Sequence, residues 1–424
     1  MTDPADDARA TRERVRRMYE RHPYPSPADD IDAFVRGEAW LLESPNPNFH
    51  HYWPYRTPTD DLDILIAGCG TRQAAEIAAG VPNARIVATD IAENSLAATR
   101  TLLKKAGIPN VRLEKLAIEE TRNLGLDFDL VISTGVLHHL ADPDAGLRAL
   151  AGVLRPDGAM HLMLYGRHAR HGVYMMQDLL RTLGFTPDTV LDREFGAIRA
   201  LIEALPETHP FAAARSRHPD WRSDEGLVDL LLHVQDRAYS LPEILGCLKG
   251  AGLKLQKLLF RARYDPRYTP LSAPGLAKRL GRLNEPARLA AGELVRASIK
   301  KHAFVACHAG RAPETYEIDV SPNGWGSLIP ILAPGISGER PTDARPAFRL
   351  SWPHHEDRNI FVDVPPDLIG LIEAFDGVRT VRDAIAAAGE PGPAKKATKK
   401  INADIAQVIR EMADADLLEF RVRP

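Results

Sequence analysis

The chain of 424 residues has only three cysteines, Cys69, Cys247 and Cys307. They lie far apart with no paired spacing, so neither a disulfide framework nor a zinc site is indicated, and no metal is expected. No apolar run approaches the roughly 18–20 residues that cross a bilayer, so a membrane-spanning helix is not expected. The opening MTDPADDARA is acidic and polar and lacks the pattern of a secretory signal, so a cytoplasmic location is expected. The formal net charge is -3, which gives no general attraction to nucleic acid or an anionic membrane. A third glycine is also missing where a dinucleotide fingerprint would need it. That position, three residues after Gly70, is Gln73. Helix and strand then cannot approach closely beside a pyrophosphate.

What the chain does have is a 44% hydrophobic composition, enough for a sizeable core, and a length that allows two or three domains. Its most informative stretch is LDILIAGCGTR, residues 62–72. An apolar strand there runs into the turn Gly68-Cys69-Gly70 and then a helix from Gln73. A second apolar run ends in Asp90. Glycines let backbone approach a ligand, and a carboxylate ending the next strand can accept hydrogen bonds from ribose hydroxyls. Further on, residues 128–133 form a fourth strand, followed by TGVLHHL (134–140). LRPDG (154–158) then precedes a fifth strand over 159–165.

This order of motifs resembles the class I S-adenosylmethionine-dependent methyltransferases, closely over 62–166 and more loosely over 240–308. The resemblance implies an α/β fold with a Rossmann-like seven-stranded core in the order 3-2-1-4-5-7-6, and S-adenosylmethionine as cofactor. It places Gly68, Cys69, Gly70, Asp90, Ile91, Ala117, Ile118, Thr134 and Gly135 at the cofactor. The chain departs from the family pattern at Ile66, where an acid is usual, and at Arg72, where a third glycine is frequent. It departs again at Ala117 and Ile118, where an acid beside the adenine is frequent.

His138 and His139 follow strand four, at the edge where open α/β sheets bind ligands. They are the candidate catalytic residues, with a general base as one role. The proline-rich, aromatic segment 44–55 precedes the core. By the family resemblance, the N-terminal segment closes over the cofactor, so Tyr24, His51, Tyr52 and Trp53 are candidates for the acceptor pocket. Packing of the N-terminal helix onto the sheet is the other reading of these rings.

Four segments are expected: a lid over 1–60, a core over 61–308 with a helical insertion near 170–240, a Pro/Gly/Ser-rich linker over 309–345, and a small α+β module over 346–424. The module resembles a winged helix of the kind that clasps precursor peptides, with a basic loop PAKKATKK at 393–400. Three functions stay open at this point. They are methylation of a protein or peptide, methylation of a small molecule with a scaffolding module, and a regulator that senses S-adenosylmethionine. Nucleic acid is not an expected partner.

Overall fold

The computed structural model describes residues 4–268, 274–320, 324–353, 359–388 and 395–423. The chain forms two units. The first comprises Met1–Asn48, Thr59–Lys257 and Ser298–Arg311. Its centre is a seven-stranded sheet built from β1 (Asp63–Ala67), β2 (Arg85–Asp90), β3 (Val111–Lys115), β4 (Phe128–Thr134), β5 (Leu154–Tyr165), β6 (Leu253–Leu258) and β7 (Lys301–His308). The strand order is β3-β2-β1-β4-β5-β7-β6, as the family resemblance implies. The first five strands run parallel, and β7 pairs antiparallel with β5.

Ile64, Leu65 and Ile66 are fully buried, as a parallel strand covered on both faces requires. That register sends the carboxyl ends of β1, β2, β4 and β5 to one edge. The opposite edge is tied by Arg155, whose guanidinium donates to Asp63 on β1 and Asp129 on β4, each at 2.6 Å. Arg155 lies inside β5, which starts at Leu154 with an irregularity against β4 rather than at Ala159. The segment 154–158, expected to precede the strand, therefore belongs to it, with a register shift against β4.

The segment between β5 and β6 is helical. Helices His171–Thr182, Phe195–Ala204 and Asp224–Leu231 bury Val173, Met176, Phe195 and Leu227 in one cluster, which Phe211 and Trp221 join from the short segments between the last two. Met18 joins that cluster from the N-terminal helix, Pro4–Arg21. The same helix is fastened to the core by Glu20, whose carboxylate accepts the backbone N–H groups of Glu93 and Asn94 at 3.0 Å each. Those amides open the helix Glu93–Ala106, where a negative charge is favoured.

The second unit comprises Phe49–Pro58, Leu258–Ala297 and Ala312–Pro424. Residues 309–345, expected as a linker, hold β8 (Leu328–Leu332) and β9 (Ser337–Glu339). β8 pairs with β12 (Leu418–Val422), and β9 pairs with β10 (Phe348–Ser351), which pairs with β11 (Phe361–Val364). Proline and glycine there mark turns between short strands rather than a free tether. Residues 395–400, expected as a loop, begin the helix Lys395–Asp414, while 393 and 394 lie outside the described residues. Leu328, Leu350, Val362, Leu371, Ile409 and Phe420 share one core. Among the described residues no helix is long and apolar enough to cross a membrane.

Candidate active site

A cleft opens at the carboxyl edge of the sheet in the first unit, enclosing about 1320 Å³ including its solvent-open part. Its floor is the turn after β1. Gly68 and Gly70 have φ of +79° and +56°, in the left-handed region that glycine adopts without strain. A Cβ on Gly68 would sit 2.5 Å from Val136, and one on Gly70 would sit 3.0 Å from the Tyr24 carbonyl oxygen. The turn is locked by Thr89, whose carbonyl accepts from the amides of Gly68 and Cys69.

Asp90 ends β2 and faces this turn. Its Oδ2 accepts the Gly70 N–H and its Oδ1 the Ala92 N–H, both at 2.9 Å. Burial pushes the Asp90 carboxyl above the usual range, while these amides and that of Ile91 pull it back. Ile91 and Ile118 line the cleft beside it. Ala117 is buried but is not a lining residue. Cys69 lines the cleft with its thiol pushed well up by burial, so it is no nucleophile.

Thr134 and Gly135 form the wall beyond β4. Gln73 donates to the Thr134 hydroxyl at 2.6 Å and also to Glu43. Burial raises the carboxyls of both Glu43 and Glu76. Neither glutamate stands out in the sequence, because one lies in an irregular segment and the other in an alanine-rich helix.

The inner end of the cleft is aromatic. Tyr19, Tyr24, His139 and Tyr165 line it. The two adjacent histidines separate here. His139 is 4% exposed and donates from Nδ1 to the Gln235 carbonyl at 2.8 Å. Its Nε2 has no hydrogen-bond partner. His138 is fully buried behind the wall, with its ring 3.8 Å from that of Tyr165, and burial holds it well below the usual histidine range. Asp229 and His233, which no local pattern marks, reach the same inner end from the insertion. Tyr19 donates to Asp229 at 2.8 Å and lies 3.1 Å from His233 Nε2.

Of the expected acceptor-pocket rings, Tyr24 lines the cleft and donates to Asp220 at 2.9 Å. His51, Tyr52 and Trp53 belong to the second unit. Tyr52 and Trp53 are buried there, and His51 Nε2 lies 2.6 Å from Glu419 on β12, an oxygen that His50 shares. None of the three is a lining residue of the cleft.

A family described as a methyltransferase domain matches residues 65–160. An uncharacterised protein of Synechococcus sp. is 27% identical over 311 residues, 70% of this chain and 72% of that one. A ubiquinone biosynthesis O-methyltransferase of Methylocella silvestris is 29% identical over 143 residues, 34% of this chain and 55% of its own length. This chain thus spans about half the length of that curated relative. Among solved structures, PKMT2 from Rickettsia typhi superposes with a TM-score of 0.65 at 12% identity, covering 90% of this chain and 76% of the other. Its complex with AdoHcy gives a TM-score of 0.63 at 13% identity.

Proposed function

We propose, from the methyltransferase-domain match over residues 65–160 and the cleft geometry, that this chain is a class I S-adenosylmethionine-dependent methyltransferase that methylates an oxygen or nitrogen nucleophile bound at the inner end of the cleft. When bound, S-adenosylmethionine supplies a methyl group made electrophilic by a sulfonium. The residues present fit it. Asp90 Oδ1 and Oδ2 accept the backbone amides of Ala92 and Gly70, and the carboxylate's remaining lone pairs are the ones offered to ribose hydroxyls. Gly135 has φ +78°, and a Cβ there would meet only the Met163 terminal methyl at 3.4 Å, so backbone lies bare at the wall. Glu43 and Glu76 offer carboxyl oxygens to a cationic group, and Arg72 and Lys301 offer charge to a carboxylate.

The observation that carries the proposal is His139 Nε2, a buried lone pair without a partner on the cleft wall. It takes the proton of the acceptor as the nucleophile forms its new bond. His138 is enclosed and does not reach the acceptor. Its place is to pack Tyr165 against the wall. Positioning and exclusion of water do the remaining work.

A polypeptide acceptor is the second reading. It is supported by β9 and β11, which are both edge strands of the three-stranded sheet, and an edge can take an added strand from a peptide. The relation to ubiquinone O-methyltransferases supports a small acceptor instead. Labelling a cell lysate with tritiated S-adenosylmethionine separates them. Counts in the macromolecular fraction support the polypeptide, counts in the small-molecule fraction support the other, and counts in neither remove the methyl-transfer reading.

A further inference from the structure

The deep wall of the cleft carries more buried polar chemistry than a single base needs. Asp229 is 4% exposed and His233 5% exposed, and both sit behind His139. The hydrogen bonds determine where each proton lies. The Gln235 N–H donates to His233 Nδ1 at 3.0 Å, so the neutral His233 ring carries its proton on Nε2. That Nε2–H donates to the Tyr19 oxygen, and the Tyr19 O–H in turn donates to Asp229 Oδ1. The Gln235 carbonyl accepts from His139 Nδ1, so the neutral His139 ring presents a bare Nε2. One residue, Gln235, thus imposes opposite tautomers on two rings that stack 3.7 Å apart at 17°.

The same placement of protons speaks against a metal ion. Ligand atoms of His139, Asp229 and His233 lie within 4.8 Å of one another, a grouping that could hold a cation. Both nitrogens of His233 are committed, however, and a ligating Nε2 would have to give up the proton it shares with Tyr19.

We propose that Tyr19, Asp229 and His233 are positioning residues for His139, and that this subsite selects an acceptor that donates a hydrogen bond, a hydroxyl or a neutral amine. The inference rests on the methyl-transfer reading of the cleft. The acceptor's O–H or N–H binds His139 Nε2. Its proton passes to that nitrogen, its lone pair forms the bond to the methyl carbon, and the C–S bonding pair stays on the departing sulfur. The positive charge that arrives on His139 lies beside Asp229, whose carboxyl burial raises and whose ionised form the imidazolium and the Tyr19 O–H favour. The other groups around it are paired elsewhere or neutral. Arg170 is bound to Asp236, His138 is held neutral by burial, Tyr24 donates to Asp220, and Tyr165 and Tyr19 are phenols whose ionisation burial suppresses. An acceptor with no N–H or O–H leaves His139 Nε2 unpaired in a buried site and is disfavoured.

The first test needs no acceptor. In histidine-labelled protein with S-adenosylhomocysteine at neutral to mildly basic pH, nitrogen NMR should show His139 as the Nδ1–H tautomer and His233 as the Nε2–H tautomer. Either ring in the opposite form overturns the relay, whatever the protein methylates. The second test uses tritiated S-adenosylmethionine and a clarified lysate as the acceptor source. Asp229→Asn should lower the initial rate on the order of a hundredfold, the range of general-base contributions, with S-adenosylhomocysteine affinity unchanged. Tyr19→Phe should lower it about tenfold and release the His233 tautomer into a mixture. Added imidazole should partly restore His139→Ala but not His139→Ala combined with Asp229→Asn. Full activity in a folded Asp229→Asn variant sinks the relay. Full activity in His139→Ala sinks the base itself, and with it the reading on which the relay depends.

Discussion

At the scale of single residues, Asp90 and His302 make separable predictions. Asp90 sits where β2 ends, facing the glycine turn. Asp90→Ala removes a carboxylate that would accept two ribose hydroxyls, so S-adenosylhomocysteine affinity should fall about tenfold to a hundredfold, equivalent to about 1.5–3 kcal/mol. Calorimetry checks this, and unchanged affinity in the folded variant would remove the assignment. His302 on β7 is fully buried with its Nε2–H on the Tyr239 carbonyl, and burial lowers it to about 4. The unfolded chain takes up this proton near pH 6.5, and the folded chain only near 4. The group's contribution to stability is therefore complete above pH 6.5 and is lost progressively as the pH falls to 4. The loss is at most about 3 kcal/mol. His302→Gln removes the titration, so urea unfolding of the variant should lose less stability than wild type across that window. Parallel pH curves for the two proteins would contradict the cause.

At the scale of elements, the β1 turn is the most constrained piece. Gly68 combines φ +79° with Val136 at 2.5 Å from any added Cβ. Gly68→Ala must therefore either shift the β4 wall or distort the turn, a strain of about 1–3 kcal/mol. A lowered melting temperature together with at least tenfold weaker cofactor binding is expected. Wild-type values for both would show that the turn yields freely. This element was legible in the sequence because its determinants are local: an apolar strand, two glycines and a carboxylate at the next strand's end. The start of β5 was not legible, because LRPDG was placed before the strand, and proline and glycine are unusual inside one. The pairing of Leu154 with Phe128 shows that the strand begins earlier, and Arg155 within it bonds to Asp63 and Asp129.

At the scale of the whole molecule, the second unit is assembled from three separate stretches of chain. Deleting 341–424 removes β12, β10 and β11 and strips the partner from β8. Leu328 and Ala262 would lose the core they share with Leu418 and Ile409. Such a truncation should expose apolar surface and bind a hydrophobic dye, rather than leave a clean, folded remainder. Dye binding and scattering measured beside the full chain test this. A monodisperse truncated protein that binds no dye would mean that the remainder folds without the unit.

The sequence by itself marked the glycine turn and the carboxylate after it, because these are local motifs, and through them the family resemblance implied the sheet order and the cofactor class. It placed Gly68, Gly70, Asp90, Ile118, Thr134 and Gly135 in one cleft, and all of them line it. It could not tell His138 from His139, since adjacent residues have the same neighbours in sequence and opposite surroundings in space. It could not find Glu43, Asp229 or His233, whose roles come from segments far away in the chain. Nor could it see that His51 pairs with Glu419, 368 residues distant. Burial, tautomer and partner are properties of packed neighbours, and only the tertiary structure decides who those neighbours are.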